Sequence, residues 1–329
     1  MKATKNDKGI QIRRRIKAFI GRWVGLRQSW WRYVRNANCD YYKSQTDFLY
    51  ILISNYHVIE KSLAMPDFEP GHALERVKVV VGDLIKYREL GFDLHHPQYI
   101  AAMQAIREYT CVHHNLGFSL PKDLLEEIDF LFKDVEIPEH VQPTVSKEQF
   151  FANVQSSFPE FARSRHSVRS YSDKEISEDT LKAVVNLART TPTGCNRQPN
   201  RTYVVCDNSM IRKIVNLQGG GRGFAEKANK LLVVTSAIDA FSYNEYNEVW
   251  KAGGMYTMNL LYALHSYQIG ACPLMWNGMR SQDKALREIL NIPSKEEVVM
   301  IIAAGYPLDK FRYVTSVRNN VEDSLIIVR

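Results

Sequence analysis

The chain reads as an α+β protein, with a mostly α-helical N-terminal region followed by a mixed α and β region. Two observations carry this reading. Apolar residues recur at helical spacing through residues 40–135, whereas beyond residue 160 short β-branched apolar runs alternate with helical stretches. A third observation bounds it: 329 residues, 45% hydrophobic and 24% charged, describe a globular chain long enough for two domains. The expected organisation is a basic amphipathic arm (1–38), a helical region with its linker (39–150), and a mixed domain (151–329).

In the arm, Ile12, Ile16, Phe19, Trp23, Leu26, Trp30 and Tyr33 alternate in steps of four and three, which is one helical face. Arg13, Arg14, Lys17, Arg22, Arg27 and Arg32 occupy other faces. Two readings stand side by side: peripheral contact with anionic lipid through residues 10–34, with tryptophans at the headgroup level, or an apolar stripe packed on its own domain or a partner subunit. Residues 1–35 hold eleven Lys/Arg and one Asp out of a chain total of +7, so the remainder is slightly acidic. Nothing resembles a base-reading module, so no nucleic-acid partner is expected.

In the helical region, Phe48, Leu49, Leu52, Tyr56 and Ile59 form one stripe, Val77 to Ile85 a second, and Tyr99 to Tyr109 a third; a fourth helix opens at Pro121. Breaks fall at Met65-Pro66, between Gly91 and Pro97, and between Asn115 and Pro121. Pro138 and Pro143 among polar residues make 134–150 a linker. Ser177 opens the next helix. Thr202–Cys206, Leu231–Ser236 and Val298–Ala304 read as strands, with an apolar helix over Gly254–His265 between the last two. Leu325-Ile326-Ile327-Val328 could form a final strand; without a sequence-adjacent partner it would pair with another chain.

No apolar run reaches the roughly 18 residues that span a bilayer, and no apolar segment with a small-residue cleavage site marks a secretory signal. Cys39, Cys111, Cys195, Cys206 and Cys272 form no CxxC pair and no zinc spacing, which favours reduced thiols, a cytoplasmic location and no metal.

Chemistry concentrates in a few segments. Arg165, Ser167 and Arg169 alternate by two, so an extended strand presents them together as a phosphate clamp; a solvated basic turn is the alternative. Pro192 to Pro199 is a polar loop offering donors and acceptors to a heterocycle, or an ordinary helix-to-strand connection. Pro273 to Trp276 is an apolar loop able to cover one face of a ring. Arg318 is a second phosphate candidate. His57, Glu60 and Lys61 share a helix face and either touch substrate or form a surface or subunit-contact pair network. Cys195 and Cys272 lack an adjacent base and read as packing residues.

The ordered segments RHSVRSY, PTGCNRQP, GMYTMNLLYALHSYQIGACPLMW, IIAAGYP and SVRNNVED, over roughly residues 160–329, resemble the nitroreductase family. The resemblance implies an FMN-binding α/β sandwich that works as a homodimer with FMN at the interface. It implies cofactor contacts from Arg165, His166, Ser167 and Arg169. It also implies them from Pro192, Thr193, Gly194, Cys195, Asn196 and Gln198 (in the family usually supplied by the partner subunit), from Pro273, Leu274 and Met275, and from Ser316 and Arg318. Gly194 stands where Ser is frequent and Ser316 where Lys is frequent. Chemistry would centre on the flavin with no catalytic side chain: NAD(P)H as reductant, and a small organic molecule as electron acceptor. The segment Asn55 to Pro66 resembles extensions on nitroreductase-like proteins encoded near polysaccharide-biosynthesis genes, which links the expected activity to that process. The rival expectation is a flavin-binding, membrane-associated accessory protein with little turnover; a flavin enzyme that oxidises or cleaves is a third.

Overall fold

The structure, a computed structural model, describes residues 5–37, 44–133, 135–242 and 245–329. Cys39 and the expected boundary at residue 38 lie outside them. In chain order the elements are α1 (Lys5–Asn36), α2 (Gln45–Leu63), α3 (Leu74–Glu89), α4 (Pro97–Asn115), α5 (Lys122–Phe132), β1 (Thr144–Ser146), α6 (Lys147–Phe150), α7 (Phe158–Ser164), α8 (Glu178–Ala188), β2 (Asn200–Val205), α9 (Asn208–Gln218), β3 (Lys230–Ala237), α10 (Glu248–Ser266), β4 (Gly270–Met275), α11 (Arg280–Leu290), β5 (Glu296–Gly305) and β6 (Lys310–Arg312). The α+β class and the four helices expected between residues 40 and 135 are present.

The chain divides into two compact units, and the division does not follow the expected boundaries. The first comprises Met1–Cys39, Lys174–Arg222 and Asn229–Gly305; the second comprises Asp40–Asp173, Gly223–Ala228 and Tyr306–Arg329. Residue 151 therefore falls inside the second unit. Long-range pairing decides the matter: β1 pairs with β6, Val145 opposite Phe311, tying the region after the helices to the C-terminal segment.

The first unit is built on an antiparallel sheet in the order β2-β3-β5-β4. Every residue of β3 is buried, the apolar Leu231–Val234 and also Lys230, Thr235 and Ser236. Helix α10 packs on the sheet and on α8. Local chemistry sets the starts of the helices: Ser177 caps α8 through Thr180 N (3.1 Å) and Asp207 caps α9 through Met210 N (2.8 Å). Gly219, with φ +79°, ends α9 in a conformation costly for other residues. Pro273 to Met275, expected in a loop, are the second half of β4. A proline fits there because β4 is an edge strand and can forgo a ladder donor.

The second unit is a helical bundle of α2 to α5 around Phe48, Leu52, Ile59, Val80, Leu84, Tyr87, Tyr99, Ile106 and Tyr109. Tyr87 and Tyr99 stack at its centre, 5.1 Å between centroids. The expected linker is a correction: apart from residue 134, which is not described, it includes β1, α6 and the buried Gln142. Its polarity serves internal hydrogen bonds, not flexibility. The expected strand Leu325–Val328 has no regular structure, and all four side chains are exposed. A strand needs a ladder partner, and none lies beside it among the described residues.

No described helix is long and apolar enough to cross a membrane. Among the described residues no cluster of three His, Cys, Asp or Glu side chains is arranged to hold a metal ion.

Candidate functional site

Within the second unit, the RHSVRSY segment leaves α7 in an extended conformation, Arg165 at φ −74°, ψ 113°. It is held down by Val168, fully buried, by a bridge from Tyr171 to Pro307, and by Ser172 N donating to the Tyr306 carbonyl (2.8 Å). Arg165, His166 and Ser167 are half-buried, while Arg169 is only 5% exposed. The Arg169 guanidinium lies 5.7 Å from the Phe224 ring, and its Nε and Nη1 have no hydrogen-bond partner among the described residues. A buried cation with unused donors is costly unless an anion completes it. Such an orphan fits an anionic ligand.

The His166 ring tilts against Tyr313, 4.5 Å between centroids. Burial, followed by the positive charges of Arg165 and Arg318, pushes its pKa down to about 4. Those causes also locate groups: Arg165 and Arg318, 153 positions apart in sequence, bear on one imidazole. Arg318 is also felt by the Tyr56 phenol, whose pKa is raised by burial and by Glu60 against it. Two of the predicted phosphate ligands, Arg165 and Arg318, and the predicted cofactor contact His166 thus share a neighbourhood. Arg318 donates to the Ser316 carbonyl, and Ser316 itself adopts φ +56°. A side chain in that left-handed region is strained, and strain of this kind concentrates at functional sites.

A buried polar network fixes this late segment. Gln142 accepts from Thr315 N (2.8 Å) and donates to Glu60 (3.2 Å). Glu108 accepts from Gln142 N (3.0 Å) and from Arg312; burial, more than Arg312 opposes it, raises the pKa of this carboxyl. Tyr56 donates to Gln98, which donates to the Val317 carbonyl (3.2 Å). Of the tentative substrate residues, Glu60 is turned inward, bonded to His57 Nδ1 (3.1 Å) and to Gln142. His57 and Lys61 are half-buried. Glu60 thus belongs to an internal network and not to a surface one. Sequence reasoning missed Gln98, Glu108, Gln142 and Arg312, whose partners lie far along the chain and leave no periodic signal.

In the first unit, the loop before β2 carries three left-handed residues in four positions, Cys195 (φ 55°), Asn196 (φ 54°) and Gln198 (φ 52°). Thr193 Oγ1 accepts from Gln198 N (3.0 Å), and Arg197 pairs with Glu245 (3.0 Å). Pro192, Gly194, Cys195, Asn196 and Gln198 are exposed, so the loop presents its polar groups outward. Cys195 is thus not a packing residue, whereas Cys272 is buried. In β4, Leu274 belongs to the core, while Met275 is 68% exposed. Met275 pairs with Met300, Met300 with Val234, and Val234 with Thr202. The loop and the Met275 end of β4 therefore share one end of the sheet but sit on opposite edges, three inter-strand spacings or about 14 Å apart.

An extended, arginine-bearing segment around an unsatisfied buried guanidinium suits an anionic ligand. Residues 162–219 and 212–306, less than half of the chain, match the model of the nitroreductase family. A protein of Archaeoglobus fulgidus that carries the name NADH dehydrogenase/NAD(P)H nitroreductase is 29% identical over 150 residues, covering 44% of this chain and 83% of its own length. A protein of the same name from Methanothermobacter thermautotrophicus is 22% identical over 179 residues, covering 53% and 86%. Among solved structures, a nitroreductase-type protein of Desulfovibrio desulfuricans in complex with FMN aligns with a TM-score of 0.45 at 24% identity, covering 52% of this chain and 96% of its own.

Proposed function

We propose that the chain is an FMN-dependent NAD(P)H oxidoreductase of the nitroreductase type, passing two electrons to a small organic acceptor. The observation that carries this reading is the buried Arg169, whose free donors lie in the same short segment as the Arg165–His166 pair that Arg318 faces. FMN, when bound, supplies the hydride chemistry. Arg165, Ser167 and Arg318 offer charge and donors to the phosphate, and Arg169 offers its charge deeper in the segment. His166, neutral near pH 7, exchanges a hydrogen bond without adding charge. The exposed loop 192–198, held in a strained shape before any ligand arrives, presents backbone donors without reorganisation.

The separation of that loop from Met275 supports a homodimer, in which the loop of one copy serves the cofactor of the other. Free Cys111, Cys195, Cys206 and Cys272 support a cytoplasmic setting. The resemblance of Asn55–Pro66 supports an acceptor connected with polysaccharide biosynthesis.

The test is spectroscopic. The purified chain is expected to take up FMN and to be bleached by NADH or NADPH without oxygen. A colourless protein that gains no bound-flavin spectrum overturns the flavin reading. A yellow protein that neither nicotinamide bleaches favours the accessory, low-turnover reading.

A further inference from the structure

Helix α1 is about 48 Å long at 1.5 Å per residue, and its sequence holds ten Lys/Arg against one Asp. It touches its own unit along one edge: Ser29 hydrogen-bonds Tyr246, and Leu26 lines a small cavity with Phe241 and Val249. The neighbouring arc is uncovered. Ile12, Ile16, Phe19, Trp23 and Trp30 are each more than half exposed, Trp23 at 64%. A run of this kind on one helix is larger than the scattered exposed apolar residues that need no explanation.

We propose that this arc docks on an anionic lipid surface, with the helix lying in the plane of the interface. Charge decides against a second copy of α1. The 4-3 spacing would suit a coiled-coil seam, but the positions flanking it carry Arg13, Arg15 and Arg27. Two such helices would set cation against cation along the seam, where pairing requires opposite charges. An anionic surface satisfies both halves at once: the tryptophans enter the headgroup region and the arginines find phosphates. The edge bearing Ser29 and Leu26 stays with the protein, so the helix would tether its unit to the surface without unpacking from it.

The experiment is co-sedimentation of the full chain with phosphatidylcholine vesicles, with and without phosphatidylglycerol, alongside Trp23→Ala/Trp30→Ala and Arg13→Gln/Arg27→Gln variants. All four positions are exposed, so folding should be unaffected. Binding is expected only to the phosphatidylglycerol vesicles, weakened by salt and about fivefold per arginine removed, and lost in the tryptophan variant. Equal binding to both vesicles, binding to neither, or undiminished binding by the tryptophan variant overturns the proposal. So does a fall in sedimentation coefficient of the tryptophan variant in lipid-free solution, which would assign the arc to a second copy. None of these outcomes depends on flavin.

Discussion

Arg169 and Arg165 should respond differently to substitution, because only one is buried with unused donors. Arg169→Met removes an uncompensated cation, so the thermal midpoint of the flavin-free protein should hold or rise, while FMN affinity falls. A charge-assisted hydrogen bond of about 1.5–3 kcal/mol makes that fall roughly ten- to a hundredfold. Arg165→Ala should lose similar affinity with little change in fold. Flavin fluorescence titration with matched melting curves checks both, and wild-type affinity in either variant means the clamp is misassigned. His166 supplies a second prediction. Its folded pKa of about 4 lies below the ordinary value of 6.5, so the unfolded chain binds more protons between those limits. Stability from this residue is therefore present above pH 6.5 and is lost as pH falls toward 4. Bound phosphate would offset Arg165 and Arg318, so the His166 ring resonances should titrate at higher pH with FMN than without it. An unchanged midpoint would separate the imidazole from the phosphate.

Helices α2 and α4 bear on the proposed cofactor segment through two glutamines. Gln142→Leu strands the Thr315 amide and a buried Glu60 oxygen, each costing about 1–3 kcal/mol. Urea unfolding should show a loss of that size, and FMN affinity should fall although Gln142 is a positioning residue that touches no ligand. A variant that loses stability but keeps affinity would make the network merely structural. This coupling was invisible in the sequence. The stripes of α2 to α5, and the caps Ser177 and Asp207, were legible because a helix is specified by neighbours a turn away. Gln142 looked like part of a linker because its partners, Glu60 and Thr315, stand far off on either side. Pro273 reads as loop in the sequence, and only the sheet order reveals that it lies in β4, an edge strand that can forgo a ladder donor. The proposed phosphate segments stand out in the sequence as ordered motifs, but not the burial that singles out Arg169 from Arg165.

At the scale of the whole molecule, the exposed tail Leu325 to Val328 and the outward loop 192–198 are the surfaces on which the proposed second copy would pack. Sedimentation should show a dimer, and truncation after Ser324 should weaken it; a wild-type monomer that binds FMN at full affinity would remove the shared-site reading. The fold class was legible because both secondary-structure periods are plain along the chain. The division into units was not, because residues 306–329 return to helices laid down much earlier. Arg312 reaches the Leu63 carbonyl across 249 positions of sequence. Loop closure over that span comes late and slowly. A nascent chain still short of Arg312 has its bundle but lacks the arginine and strained serine that follow. Cofactor loading is therefore expected only once residues 312–318 have been made and folded back, and ribosome-bound chains truncated before that point should leave FMN in solution.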